Sequence, residues 1–349
     1  MKVSLRHRIG ALVYDWVPFE LRMRGFGARN GRPEPWLQIR NRRETISMNE
    51  RGVQCNWRFA SDLHIGKVIP ATAARLMRRS LDRWPIAMRD VPAPMSGPPR
   101  ISFLIGHRGI GRLPHLLAAL RSIAGQTGVA FECIVVEQSA APEVETYLPP
   151  WVRYVHTPLP SPALPYCRSW AFNIAAGQAR SGILVLHDND VLIPERYAYE
   201  AVQRVEEGYS FVDLKRFTHY LDEDATARVF VTGASPRGVP ALIVQHLDGG
   251  STVARRDAYD AIGGFDESYV GWGGEDNDFM DRAGFAGGVY RFGYMPILHL
   301  EHPPQPGKSS LSSGAILRYR AMEIVDPGER IARLRAIEQG RMSGPAVVD

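Results

Sequence analysis

The sequence predicts an α/β protein built on a mainly parallel sheet with helices on both faces. Three observations carry this expectation. Between residues 100 and 208, apolar runs of strand length alternate with stretches at helical spacing. The strand runs are nearly continuous in apolar residues, as strands buried on both faces are. Strand–helix alternation of this kind closes into a parallel sheet through crossover helices.

The elements follow in order. "RISFLI" (100–105) reads as a buried strand, and "RLPHLLAALRSIAGQ" (112–126) carries apolar residues at helical spacing. "FECIVV" (131–136) and "VRYVH" (152–156) are the second and third strands. "CRSWAFNIAAGQA" (167–179) is helical, and "GILVLH" (182–187) is a fourth strand. "PERYAYEAVQRVEEG" (194–208) is a helix opened by Pro194. The Pro- and Gly-rich "DVPAPMSGPPR" (90–100) reads as a linker, and a helical stretch near 71–83 precedes it. These divisions give an extension over 1–97 without an assigned role, a core domain over 98–305, and a flexible loop with a C-terminal helix over 306–349.

Bulk properties narrow the function classes. The chain has 349 residues, is 45% hydrophobic, and carries a net charge of +5. Three unclustered cysteines, Cys55, Cys133 and Cys167, fit neither a disulfide framework nor a zinc site and suit a reducing cytoplasm. No apolar run approaches the ~20 residues of a membrane span. Much of the basic excess sits near the N-terminus, including Arg6, Arg8, Arg22 and Arg24. A basic end suits either a solvated face or the anionic surface of a membrane. A cytoplasmic location is expected, with residues 1–25 as the segment that meets the inner membrane surface. No nucleic-acid partner is expected.

In open α/β sheets ligands sit beyond the carboxyl ends of the strands. The first strand ends in Gly106, His107 and Arg108, the second in Glu137 and Gln138, the fourth in "HDND", His187 to Asp190. Asp188 and Asp190 flank Asn189, a spacing at which both carboxylates reach one hard divalent cation if the backbone turns. The same residues also suit a plain turn. In "ILHLEHPPQPG" (297–307), His299 and His302 chelate one ion only if the chain turns there, and Pro303 and Pro304 favour such a break. With an aspartate they make a mixed N/O set of a kind that suits transition metals.

"GWGGEDNDF" (271–279) runs into the helical "FMDRAGFAG". Glu275 and Asp276 therefore fall in a first helical turn, where acidic residues complement the macrodipole. The segment holds more carboxylates than capping needs, and crowding raises a carboxyl's pKa towards that of a general base. Gly273 and Gly274 let a ligand approach the backbone, and Trp272 offers a flat face to a sugar ring.

"GWGGEDND" resembles the GWGGEDDD motif of the β-1,4-galactosyltransferase family (family 7, C-terminal type). "FLIGHRG", "VVEQ", "YCRSWAFNIA", "HDNDVLIP", "GGSTVARRDAYDAIGGF" and "HLEH" fall in the order of that family's segments, over roughly 100–305. Family 2 glycosyltransferases share the architecture. The resemblance implies a GT-A fold, a UDP-sugar donor, a divalent metal (Mn²⁺ first, Mg²⁺ second) and inversion at the anomeric carbon. It implies Asp190, His299 and His302 as metal ligands, Asp276 as general base, and Glu275 beside it holding the acceptor. Trp272, with Gly273 and Gly274, becomes the sugar platform. His107, Arg108, Glu137, Arg168, Asp188 and Asn189 fall around the donor.

His299 stands where many members have Met, a harder donor set that broadens metal preference. The expected activity is transfer of a hexose or N-acetylhexosamine to a glycan or lipid-linked acceptor in bacterial surface polysaccharide synthesis. The rivals are a retaining enzyme like the polypeptide N-acetylgalactosaminyltransferases, a catalytically silent nucleotide-sugar-binding scaffold, and a membrane-surface adaptor. Residues 303–314 suit either a lid over the donor or a surface linker.

Overall fold

The computed structural model describes residues 3–25, 34–39, 43–46, 51–234, 238–303 and 314–346. The mixed α/β architecture expected from the sequence is present, and it is compatible with a GT-A fold. The main sheet has seven strands. Six run in one direction, and four of these are adjacent: β1 (Ile101–His107), β2 (Phe131–Ser139), β3 (Val152–Pro158) and β4 (Ile183–His187), in the order β4-β1-β2-β3. Helix α1 (Leu113–Ala124) joins β1 to β2, and α2 (Arg168–Gln178) joins β3 to β4.

Alternation along these strands builds two cores. Phe103 and Ile105 of β1, Val135 of β2 and Val185 of β4 feed one. Their neighbours Leu104, Ile134, Val136 and Leu186 feed the other, with Trp170 and Phe172 of α2. A parallel sheet buried on both faces needs apolar residues at every position.

After β4 the chain makes the short strand β5 (Val191–Leu192) and helix α3 (Tyr197–Glu206). The latter begins three residues after Pro194. Strands β6 (Phe211–Val212), β7 (Lys215–Tyr220) and β8 (Leu242–Gln245) follow, with α4 (Glu223–Thr232) between the last two. Strand β9 (Ser251–Arg255) runs antiparallel beside β4, with Ser251 opposite His187. This return places the turn before β9 at the carboxyl end of β4. Helices α5 (Arg256–Ala261) and α6 (Glu275–Ala286), strands β10 (Val289–Tyr290) and β11 (Met295–His299), and helices α7 (Gly314–Met322) and α8 (Pro327–Arg335) complete the order. Two helices thus stand where one C-terminal helix was expected. Residues 304–313 of the expected lid lie outside the described residues.

Strands β5, β7, β8 and β11 form a second sheet with Ser61–Asp62. Buried charges hold its centre. The fully buried Arg216 on β7 meets Glu44 at 2.8 Å and donates to the carbonyls of Leu37 and Ile39. The segment before residue 98 is thereby stitched to the sheet, and Phe19, Trp36, Leu37 and Ile39 share a core with Phe103. Replacing Arg216 with Met leaves Glu44 charged and buried without its cation. A loss of about 3–5 kcal/mol is expected, read from urea unfolding midpoints. An unchanged midpoint would contradict it.

Candidate active site

The carboxyl ends of β1, β4 and β11 and the start of α2 open into a cavity of about 470 Å³. Each wall is held by a local device. Gln138, at the end of β2, pairs with the backbone of Cys167 in both directions, at 2.6 and 3.1 Å. That clamp fixes the start of α2 and aims Arg168. His187 bonds Ser251 and the carbonyl of Val191, at 3.0 and 3.1 Å, closing the turn that carries Asp188, Asn189 and Asp190. Burial lowers the His187 pKa to about 4, so it serves as a neutral brace.

The strand containing His299 ends there, and the backbone N–H of Leu300 donates to the backbone carbonyl of Asp190 at 2.9 Å. This turn brings both imidazoles to one carboxylate. His302 Nε2 stands 3.3 Å from Asp190 Oδ2, and His299 Nε2 stands 3.8 Å from Oδ1. Metal–ligand bonds of about 2.0–2.2 Å put adjacent ligand atoms roughly 3 Å or a little more apart. Asp190 Oδ1 is buried and receives no hydrogen bond from the described residues. An orphaned carboxylate oxygen beside two imidazoles fits a divalent cation, and the mixed N/O donor set suits a transition metal. Burial works against ionised Asp190, but His299, His302 and Arg112 outweigh it and hold the carboxyl well below the usual range. Arg112, at the start of α1, meets Asp190 Oδ2 at 2.5 Å.

Arg168 is the hub of the opposite wall. Its Nε lies 2.6 Å from Asp188, and its Nη1 lies 2.6 Å from Asp276 and 3.5 Å from Glu275. The guanidinium rests on Phe172, 4.7 Å from the ring centre. One cation thus serves three carboxylates, too few charges to neutralise them. Burial, with Asp276 beside it, lifts Glu275 to about 7 despite Arg168. Burial likewise lifts Asp188 to about 7, against the pull of Arg168. The crowded carboxyl that titrates near neutrality in the acidic motif is Glu275.

Gly273 and Gly274 have φ of 104° and 90°, as the loop into α6 demands. A Cβ on Gly273 would meet Ile316 at 2.9 Å, and one on Gly274 would meet Tyr319 at 2.6 Å. The room these glycines make is for α7, and neither lines the cavity. Of the motif's glycines, the one that does is Gly271, beside Trp272. Gly249, before β9, matters as much. A Cβ there would meet Asp276 Oδ2 at 2.3 Å. Gly249→Ala is expected to push the Asp276 carboxylate out of this position, read from a crystal structure of the variant, and an unmoved carboxylate would contradict it.

Of the residues singled out in sequence, Arg108, Arg168, Asp188, Asn189, Asp190, Trp272, Glu275, Asp276, His299 and His302 line the one cavity. His107 and Glu137 are buried off its lining. His107 Nδ1 meets the Asn189 amide at 2.9 Å, and burial keeps the imidazole neutral with a pKa of about 4. Glu137 accepts from the N–H groups of Glu143 and Val144 and from the Tyr154 hydroxyl. Arg112, Tyr166 and Gly249 escaped the sequence reading. The only sequence signal for Arg112 and Tyr166 is position, just after one strand and just before one helix.

Residues 240–303 match a family model described as the N-terminal domain of galactosyltransferase. That segment, galactosyltransferase-like, carries β9, the tryptophan loop, α6 and both histidines of the cation site. No curated protein matches the chain.

Proposed function

We propose that the chain is a metal-dependent, inverting glycosyltransferase moving a hexose or N-acetylhexosamine from a UDP-sugar to a glycan or lipid-linked acceptor. The observation that carries this reading is the convergence of Asp190, His299 and His302 with Asp276 and Trp272 in one cavity. The galactosyltransferase-like segment supports a glycosyltransferase in general, and the donor, metal and acceptor are this proposal's own.

Asp190, His299 and His302 would hold the cation, with Mn²⁺ preferred over Mg²⁺ because two donors are imidazoles. A divalent cation supplies charge neutralisation at a leaving diphosphate. Arg108 and Arg112 line the same cavity and add fixed positive charge towards the phosphates. Trp272 offers a flat face to a sugar ring. Asp276 takes the proton of the acceptor hydroxyl as its oxygen attacks the anomeric carbon. Glu275 orders the loop by accepting from the Gly273 N–H at 3.1 Å, and holds the acceptor. The configuration of the sugar released from an α-linked UDP-sugar, followed by NMR before mutarotation, tests the reading. A β-sugar is expected, and an α-sugar would replace inversion with retention.

The surface partner in this proposal is the cytoplasmic, anionic face of a bacterial membrane, where polysaccharide intermediates are lipid-linked. Leu5, Ile9, Val13, Val17 and Leu21 recur every four residues and are between 44% and 73% exposed. Ala11, Asp15 and Phe19 recur likewise on the buried side. The π-helical Ala11–Trp16 offsets the drift that four-residue steps make around an α-helix. Arg6, Arg8 and Arg24 flank the stripe, an arrangement suited to lying in the headgroup plane. Among the described residues no helix is long and apolar enough to cross a membrane. Flotation with phosphatidylglycerol vesicles is expected to carry the protein, and Ile9→Asp with Val13→Asp to abolish this. Flotation that survives both changes would remove the helix from the interface.

A further inference from the structure

A second cavity, of about 360 Å³, lies against the same turn that backs Asp276. Asp276 lines the first cavity, and its neighbours Asn277 and Asp248 line the second. Gly249, which follows Asp248 in this turn, packs on the Asp276 carboxylate. The other wall comes from residues 54–58, outside the galactosyltransferase-like segment.

The lining combines a flat ring with a fixed set of donors and acceptors. Trp57 is half-buried and meets His246 edge-on, ring centres 6.0 Å apart. Asp248 accepts from the Asn277 amide at 2.8 Å and from Arg291. Arg58 donates to the Tyr319 hydroxyl at 3.1 Å and to Asp281 at 3.4 Å. Each lining arginine therefore faces a lining carboxylate. The cavity has no surplus of positive charge with which to select a phosphate or a nucleotide. Burial, with Arg291 nearby, lowers His246 to about 4, so this side chain is neutral as well. An aromatic face beside oriented, mutually neutralised polar groups matches a ring that carries hydroxyls and no charge.

A second observation marks the place. His246 has φ of 56°, the only non-glycine residue with positive φ among the described residues. Left-handed conformations of this kind cost free energy and gather at functional sites. Here the conformation turns the chain from β8 into the Asp248–Gly250 turn, against Trp57.

We propose that this second cavity is a saccharide site, holding a neutral sugar ring of the acceptor glycan next to the ring that reacts at Asp276. The inference rests on the glycosyltransferase reading and assigns acceptor choice to residues 54–58, which take no part in the first cavity.

The test uses the full-length protein, UDP with Mn²⁺, and four neutral disaccharides: lactose, cellobiose, maltose and N,N′-diacetylchitobiose. Hydrogen exchange on the unaltered chain needs no variant. At least one disaccharide is expected to protect peptides covering 54–58 and 246–248, and UDP with Mn²⁺ to protect 188–190. Trp57→Ala is expected to weaken that disaccharide about tenfold or more, whereas Phe285→Ala, on the exposed side of α6, leaves it unchanged. Disaccharide binding without protection at 54–58, equal binding by Trp57→Ala, or no disaccharide binding at all would overturn the saccharide site. Protection of 188–190 by UDP in those same samples would leave the glycosyltransferase reading standing, and its absence would remove both.

Discussion

Asp276→Asn is expected to bind a UDP-sugar as the parent does and to transfer the sugar about 10²–10⁴-fold more slowly. The substitution keeps the shape that Gly249 packs against and an oxygen for Arg168 Nη1, 2.6 Å away. It removes the negative charge and, with it, the capacity to accept a proton. Donor affinity, measured by calorimetry with Mn²⁺, then separates lost binding from lost chemistry. Turnover near the parental rate would assign the proton to another group. Glu275, lifted to about 7 by burial and by Asp276, is the nearest carboxyl suited to take it.

Arg168→Met is expected to cost about 3 kcal/mol of stability near pH 8, because it strips the shared cation from buried Glu275 and half-buried Asp188 and Asp276. The cost depends on pH in a definite direction. Asp188 and Glu275 titrate near 7 in the fold and near their ordinary 3.8 and 4.5 when unfolded. The native state therefore binds more protons than the unfolded state between about pH 4 and pH 7. The stability these groups contribute is present in full below that window and is lost as pH rises through it. Without Arg168 both carboxyls rise further, so the loss extends above pH 7, and the deficit of the variant shrinks towards pH 5. Urea midpoints of both proteins at pH 5, 6.5 and 8, in EDTA, measure this. A deficit that is constant with pH would contradict the shared-cation account.

The strands of the parallel sheet and α1, α2 and α6 were legible because their apolar periodicity is strong and local. The second sheet was not. "KRFTHY" of β7 looks like a surface segment, yet Lys215 and Arg216 are buried against Asp213 and Glu44. Asp213 is local, but Glu44 and the strands β8 and β11 that flank β7 are distant in sequence, and no window of sequence contains them. In the site, the Asp-x-Asp turn and the two histidines were readable because their spacing is itself the signal. Arg112 was not, since it meets Asp190 only after α1 folds back across 78 residues. The glycines of the tryptophan motif were read as room for a ligand. Nothing local reveals which side of a glycine is crowded, and for Gly273 and Gly274 it is the side of α7. Likewise the basic N-terminal residues were visible in the sequence, but the exposed apolar stripe between them depends on which face Phe19 buries.

The central claim is that Asp190, His299 and His302 hold a cation needed for a nucleotide-sugar. Calorimetric binding of a panel of UDP- and GDP-sugars, with Mn²⁺, Mg²⁺ or EDTA, on the parent protein and on Asp190→Ala, tests it most directly, with nucleotide release followed in the same samples. The predicted result is that one UDP-sugar binds with Mn²⁺, more weakly with Mg²⁺, and neither with EDTA nor to Asp190→Ala. Binding that ignores the metal and the substitution, or no donor binding at all, would contradict the account.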